Sequence, residues 1–498
     1  MKMVKSAFLA SAAGLVAMSG AQAADLPVKA KPVEYVKVCS LYGAGFYYIP
    51  GTDICMKIGG YVRFQESAGS NASISFGPLT STGSYHNREA STDFQHRVRA
   101  TTTFDTRQQT AYGTLRTYLL MGFTNDSTDG HTNSLYSTRA FIQIAGFTFG
   151  KATSFFDFVS TAAVAYNAGF MYTPDTGDGG HIVAAYTAQF GNGLSATISA
   201  EQERRRGIDY LGLVATGTGA IAAADIGNAG ILQGFVGNVR VDQAWGSAQI
   251  SAAIQPSSTS YYGAGAQAGL VEWNGHPSDE WGWAVSGGLR LNAPMFGAGD
   301  FFQFGAVYSE GAVRFAALNT SANTFVFSGQ SMGISLVNDG GFTGTAVAPG
   351  IFEQTTAWSV YASYEHFWTP ALRTSLYGSY LDVSRSDALN NSMCTAAGGT
   401  PALYNLTAAS VATSRAGGCD LDSSRWAVGS RSQWNITRDL YVGLDVIYNK
   451  LNSGSLNAAG TAGLTAATAG KAACTNCYAT GDQDAWVATW RIHRDIVP

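Results

Sequence analysis

The sequence predicts an all-β chain folded as a transmembrane antiparallel β-barrel of sixteen strands. Three observations carry this. Segments of about ten residues alternate apolar and polar side chains, as strands with one buried face do. The connections between those segments alternate between short and long. Charged residues make up only 13% of the chain, while Gly numbers 59 and aromatics reach 12%. That mixture fits neither a disordered chain nor a helical membrane protein, and its Gly, Ser, Thr, Tyr, Trp, Phe and Val favour strands.

The alternation is plainest in AWVATWRIHRDI (485–496), where Trp486, Ala488, Trp490 and Ile492 share one parity and Thr489, Arg491 and His493 the other. In IGGYVRFQ (58–65), Ile58, Val62 and Phe64 oppose Tyr61, Arg63 and Gln65. In QHRVRATTTF (95–104), Val98, Ala100 and Phe104 oppose Arg97 and Arg99. WGWAVSGGLRLN (281–292) and AWSVYASYEHFW (357–368) repeat the pattern. Ten residues is the length of a tilted membrane-spanning strand. Sixteen such strands are expected, at 57–66, 92–104, 110–123, 137–145, 147–154, 180–190, 193–203, 235–245, 246–255, 281–292, 299–309, 355–367, 371–384, 423–434, 438–451 and 483–493.

The connections follow. DTRQQ (105–109), FGNG (190–193), AWGS (244–247), WTPA (368–371) and NITRD (435–439) read as tight turns. Long Gly-, Ser-, Ala- and Asn-rich loops are expected near 67–91, 155–179, 204–234, 256–280, 310–354, 385–422 and 452–482. A soluble sandwich has no reason to place every long loop at one end, whereas an outer-membrane barrel does. The barrel must close, because an open sheet edge cannot persist in lipid. Its apolar face then meets lipid and its polar face a water-filled lumen. Trp358 and Trp368 share a parity ten residues apart. At roughly 3.3 Å per residue and a tilt of about 40°, they span about 25 Å, the spacing of two aromatic girdles. Trp426 and Trp434 repeat the pattern.

The N-terminus sets the compartment. Lys2 and Lys5 precede an apolar stretch from Ala7 to Met18 and an A-x-A site at Ala21-Gln22-Ala23. Residues 1–23 are therefore expected to be a signal peptide, 24–56 an extended periplasmic segment, and 57–498 the barrel. Export of such a barrel implies the outer membrane of a Gram-negative cell. No later run of about 18 apolar residues argues for a transmembrane helix. Loss of Lys2 and Lys5 moves the formal charge from −4 to −6, with 28 basic residues against 34 acidic. That mild acidity is not the signature of a nucleic-acid binder, which is usually strongly basic, and no nucleic-acid partner is expected.

Six cysteines in an exported chain read as disulfides. Fifteen pairings are possible. Proximity favours Cys39–Cys55, Cys394–Cys419 and Cys474–Cys477, the last pair read as a loop disulfide or free thiols rather than a redox or zinc motif.

No enzyme is expected. GQSMG (329–333) matches G-x-S-x-G, but Ser331 lies in a long Gly/Ser-rich loop, and the motif needs a strand before it and a helix after. The seven histidines show no metal-ligand spacing. No metal or cofactor is expected.

CSLYGAGFYYIPGTDICMKIGGYVRFQ (39–65), preceded by ADLPVKAKPVEYVKV (24–38), resembles the alphaproteobacterial porin family. Weaker similarity runs through FTFGKATSFFDF (147–158), RSQWNITRDLYVGLDVIY (431–448) and the last strand. The resemblance implies a sixteen-stranded general diffusion porin. It would form a homotrimer among outer-membrane lipid and lipopolysaccharide and pass small hydrophilic solutes and ions. The chain departs from the family in ending RIHRDIVP, with Ile496 where an aromatic is expected and Pro498 last. That departure bears on membrane insertion, not on fold.

Porins of this kind fold the third long loop inward, because an open sixteen-stranded barrel leaves a wide channel. Here the loop is FFDFVSTAAVAYNAGFMYTPDTGDG (155–179). Phe155, Phe156, Phe158 and Phe170 suit pinning it to the inner wall, and its acids are Asp157, Asp175 and Asp178. Arg63, Arg97, Arg99 and Arg116 take the lumen parity on earlier strands, and Arg139 lies near an outer strand end. The expectation is that the loop acids face this arginine cluster across the constriction and set up a transverse field. Arginine suits the wall because it stays charged, and mid-strand it cannot cheaply face lipid. Asp175 and Asp178 in PDTGDGG also fit ordinary turn residues. The alternative function is a sugar-selective channel, with Tyr61 and Tyr377 as a stacking path.

Overall fold

In the computed structural model, the alternation becomes sixteen strands closed edge to edge. The structure describes residues 37–69, 94–126, 133–177, 179–204, 207–210, 232–258, 278–318, 323–328, 331–342, 351–399, 418–455, 461–462 and 478–496. The barrel strands are β1 (Cys55–Gly69), β2 (Phe94–Thr110), β3 (Gly113–Asp126), β4 (Asn133–Ile144), β5 (Phe147–Ala152), β6 (His181–Gly191), β7 (Leu194–Gln202) and β8 (Leu232–Gln243). They continue with β9 (Gly246–Ser257), β10 (Glu280–Asn292), β11 (Phe301–Glu310), β12 (Thr356–Phe367), β13 (Leu372–Ser384), β14 (Ser423–Asn435), β15 (Leu440–Asn452) and β16 (Gln483–Asp495). Each pairs antiparallel with its sequence neighbour, and β1 closes the ring by pairing with both β2 and β16. All sixteen expected strands are present.

One boundary moves. DTRQQ (105–109) is strand, not turn, and the chain reverses after Thr110. The reason is that Asp105 and Arg107 continue the lumen parity of Arg97 and Arg99, and there Asp105 pairs with both Arg107 and Arg116. The reversal itself is capped by Thr110, whose hydroxyl donates to the Gly113 carbonyl at 2.7 Å.

The outer wall carries the girdles. Trp283, Tyr308, Trp358, Tyr380, Trp426, Tyr448 and Trp486 stand on seven consecutive strands, β10 to β16, near the long-loop end. Tyr308 lies directly opposite Trp358, Tyr380 opposite Trp426, and Tyr448 opposite Trp486. Trp368 and Trp434 are exposed at the other end. Aromatic rings at both interfaces are what a lipid-facing barrel presents.

The segment before β1 is compact at the short-turn end. The Cys39–Cys55 disulfide ties it to the barrel, and Tyr47–Tyr48 pairs with Met56 and Cys55. Phe46 packs into that corner, with the Arg107 guanidinium 4.9 Å from its ring centre. A second disulfide joins Cys394, on helix α1 (Asp387–Gly399), to Cys419. Cys474, Cys477 and the expected signal peptide lie outside the described residues.

The apolar core sits inside the barrel, contrary to a lumen filled only with water. Two inward segments make it. The third loop, residues 153–180, buries Phe156, Val164, Phe170, Met171 and Tyr172. The sixth, residues 311–355, buries Val313 and Phe315. They pack on inward side chains such as Tyr361, Tyr377, Leu381, Ile447 and Leu451. Each large apolar side chain so buried stabilises the inward fold by about 1.5–3 kcal/mol. Several together outweigh the cost of ordering the loop backbone, at about 1–2 kcal/mol per residue, only with the hydrogen bonds described next.

Candidate functional site

The third loop is fixed at both walls it meets. On the side nearest its origin, Glu201 of β7 accepts the Ser154 hydroxyl at 2.5 Å and the Phe155 N–H at 2.9 Å. Asn238 of β8 donates to the Phe155 carbonyl at 2.6 Å, and Gln249 of β9 to the Asp157 carbonyl at 3.2 Å. Phe158 lies over β10 where a Cβ at Gly288 would come within 2.3 Å of its ring. Only glycine fits there.

On the far wall, Asp445 of β15 accepts the N–H groups of Tyr166 and Asn167, at 2.5 and 2.9 Å. Arg431 of β14 donates to the Ala163 carbonyl at 2.9 Å and pairs with Glu365 at 2.5 Å. Ser375 and Ser379 of β13 bond the backbone at Val164 and Tyr172. The phenol of Tyr166 rests on β15 at Gly443, where a Cβ would lie 2.2 Å from its hydroxyl oxygen. The sixth loop adds Phe315, which meets Phe156 edge-on at 4.7 Å.

These two loops leave an open space of ≈ 720 Å³ against the wall formed by β16, β1 and β2. Arg63, Arg97, Arg99 and Arg491 line it from the strands, and Arg314 from the sixth loop. The register explains the cluster. Arg63 lies directly opposite Arg99, and Gln65 lies between Arg97 on one side and Arg491 on the other. Arg491 donates to Gln65 at 3.0 Å and to the Tyr166 carbonyl at 3.3 Å, with its guanidinium 4.1 Å from the Tyr166 ring centre. Two carboxylates, Asp175 and Glu203, line the same space. Lys151 stands at its edge, with its ammonium on the Ser137 carbonyl at 3.0 Å.

The expected site residues part ways. Arg63, Arg97, Arg99 and Asp175 meet in this one space. Arg116 lies nearer the short turns, where it and Arg107 both bond Asp105. Arg139 clamps the end of the third loop, donating to Thr153 at 3.0 Å and to the Gly177 carbonyl at 2.5 Å. Asp157 is turned into the protein. It pairs with Arg204 at 2.6 Å and accepts the Thr176 N–H at 2.6 Å. Asp178 lies outside the described residues.

Asp175 combines both readings made of it. It borders the cavity, yet it accepts the Thr161 N–H at 2.8 Å and the Gly177 N–H at 2.7 Å. Burial first, and the neighbouring Asp157 charge second, push its carboxyl up to about 6.

Arg491, Arg314 and Glu203 were not singled out in the sequence. Arg491 had a signal, its lumen parity in the last strand. What was missing was closure, which sets β16 against β1. Arg314 lies beyond a strand end, where no periodicity marks it, and Glu203 closes the expected strand 193–203 on the parity of Glu201, one residue past the end of β7. Tyr377 is fully buried, with its hydroxyl on Asp445, so it is no part of an open stacking path. Ser331 begins a strand paired with Asn323–Ser328 in a hairpin, not a strand-to-helix elbow.

A closed barrel with two inward loops and a charged open space beside them has the architecture of a channel. The family described as the porin subfamily matches residues 25–489. This chain belongs to it. The porin is similar to Porin Omp2b of Brucella suis, 36% identical over 210 residues, covering 40% of this chain and 52% of that relative. The match thus spans about half of that relative's length. It is also similar to Porin Omp2b of Brucella melitensis, 30% identical over 326 residues, covering 58% of this chain and 81% of that one. Among solved structures, the outer membrane channel DcaP of Acinetobacter baumannii shares the fold, with a TM-score of 0.55 at 12% identity, over 90% of this porin and 99% of that chain.

Proposed function

We propose that this porin forms a water-filled outer-membrane channel for passive diffusion of small hydrophilic solutes and ions, and that its constriction favours anions. The observation that carries the reading is the guanidinium cluster of Arg63, Arg97, Arg99 and Arg491 on three adjoining strands. An anion about 4 Å from one guanidinium gains on the order of 1 kcal/mol in water, and more where low-dielectric walls focus the field. Each 1.4 kcal/mol is about tenfold in local concentration. Several such charges therefore outweigh Asp175 and Glu203 together. The aromatic girdles support residence among outer-membrane lipid and lipopolysaccharide, and the family supports a homotrimer.

The test is a planar bilayer. We expect conductance that rises linearly with salt, closes in three equal steps, and gives an anion-selective reversal potential in a salt gradient. Neutralising Arg63, Arg97 and Arg99 together to Gln should move that potential toward cations. The effect should weaken as salt shortens the screening length. An unchanged potential in the triple variant rejects the role of the cluster, and a small saturating conductance rejects free diffusion.

A further inference from the structure

The lumen arginines that the loops cover have answers in the protein, with one exception. Arg204 has Asp157, Arg431 has Glu365, and Arg385 donates to the Leu421 and Leu336 carbonyls. Arg425 differs. It stands on the inner face of β14 near the long-loop end, with Leu381 and Leu451 as cross-strand neighbours. It is 1% exposed. Its Nε donates to the Ser335 hydroxyl at 3.1 Å, which is shared with Ser423 at 2.8 Å. Neither of its buried Nη atoms makes a well-aligned hydrogen bond, the polar contact there being the Tyr172 hydroxyl, and among the described residues no carboxylate forms an ion pair with it.

Two more polar groups share its surroundings. Tyr172, from the third loop, is fully buried, and its hydroxyl lies against the Arg425 guanidinium without a well-aligned hydrogen bond. Burial pushes that phenol up to about 12, while the Arg425 guanidinium beside it pulls the other way. Asn449 of β15 lies opposite Ala427, so it is the diagonal neighbour of Arg425 on the inner face. It is fully buried, and both of its amide atoms lack partners.

A guanidinium sealed from water without a counter-charge is strongly disfavoured. Ordered water can satisfy hydrogen bonds, but it cannot neutralise a charge. We propose that Arg425, Tyr172 and Asn449 form an enclosed site for one small inorganic anion of halide size, held between the third loop and the wall. Two guanidinium N–H groups, the phenol O–H and the amide N–H are the donors available there. The occupant must be small, because every one of these atoms is sealed from solvent. It is distinct from the open passage at Arg63 and Arg491. Its effect is structural: it ties Tyr172 of the constriction loop to β14 and β15.

Crystals of the full-length protein grown in sodium bromide, measured at the bromine edge, test this directly. We expect an anomalous peak within contact of the Arg425 Nη atoms. In detergent solution, the unfolding temperature should rise saturably with bromide, relative to sodium gluconate at equal ionic strength. Arg425→Met should fold, because an apolar side chain of similar length replaces an uncompensated buried charge. It should lose both the peak and the bromide-dependent rise. A site holding ordered water alone overturns the proposal, as does a bromide effect equally large in R425M. If R425M fails to fold, the wild-type peak decides by itself.

Discussion

Asp445 grips the third loop by its backbone: one carboxylate oxygen accepts the N–H of Tyr166 at 2.5 Å and that of Asn167 at 2.9 Å. Its other oxygen takes the Tyr377 hydroxyl. The loop arises between β5 and β6, so this single side chain reaches it from the opposite part of the ring. Hydrogen bonds to a charged group contribute about 1.5–3 kcal/mol each. Removing the carboxylate should therefore free the loop's tip without unfolding the barrel, whose strands do not depend on it. We expect Asp445→Ala to show larger and noisier single-channel conductance, and to admit larger neutral solutes in a liposome-swelling assay. Asp445→Asn keeps the shape and should lie between that variant and the wild type. Unchanged conductance and size cut-off in Asp445→Ala would mean that the other wall contacts, among them Arg431, Ser375, Ser379 and Arg491, suffice to hold the loop.

Asp175 should make selectivity depend on pH. Its carboxyl is pushed up to about 6 from an ordinary value of 3.8, so it gains its proton as pH falls through about 6. Protonation removes a negative charge from a passage lined by arginines. The anion preference should rise between pH 7 and pH 5. For stability the sign is the same: a carboxyl raised on folding binds its proton more tightly in the folded state. Folding is then favoured at low pH, and that contribution is lost as pH rises from about 4 through about 6. The check is the reversal potential across that range in the wild type and in Asp175→Asn. His181 borders the same cavity, but burial first and the neighbouring Arg204 charge second push its imidazole down to about 4, so it stays neutral across that range. A pH dependence that survives intact in Asp175→Asn assigns the effect elsewhere.

What the sequence made legible is what period two can encode. Strands β1, β2, β10, β12 and β16 show it plainly, and so do the lumen positions of Arg63, Arg97 and Arg99. The Cys39–Cys55 bridge was legible because both cysteines flank one short, aromatic-rich segment. Parity says which face a side chain takes, but not what fills that face. Tyr377 points inward as Tyr61 does, yet the third loop covers it, and only the tertiary fold shows that. Asp157 looked free to face the passage because its partner, Arg204, lies 47 residues on and beyond the end of a strand. The sixth loop's entry was not legible either. Val313 and Phe315 carry no periodic signal, and their burial rests on packing inside the barrel, Phe315 against Phe156.

The Asp157–Arg204 pair gives the sharpest test of how the constriction is held. The two side chains are 2% and 1% exposed and lie 2.6 Å apart. Arg204 also donates to the Pro174 carbonyl at 2.8 Å and sits 4.7 Å from the Phe315 ring centre, so it joins both inward loops. Breaking such a pair leaves an uncompensated buried charge, at a cost of about 3–5 kcal/mol. That cost falls on the loop rather than on the barrel, so it should appear as local opening, not as global unfolding. Arg204→Met alone strands the Asp157 carboxylate, and Asp157→Asn alone strands the guanidinium. We expect each to give flickering conductance and faster proteolysis within residues 153–180. The double variant buries no unpaired charge, and the carboxamide that Asp157→Asn introduces can still accept the Thr176 N–H. It should be quieter than either single variant. If the two effects instead add, the ion pair does not couple the loops, and the apolar contact of Phe156 with Phe315 holds them together.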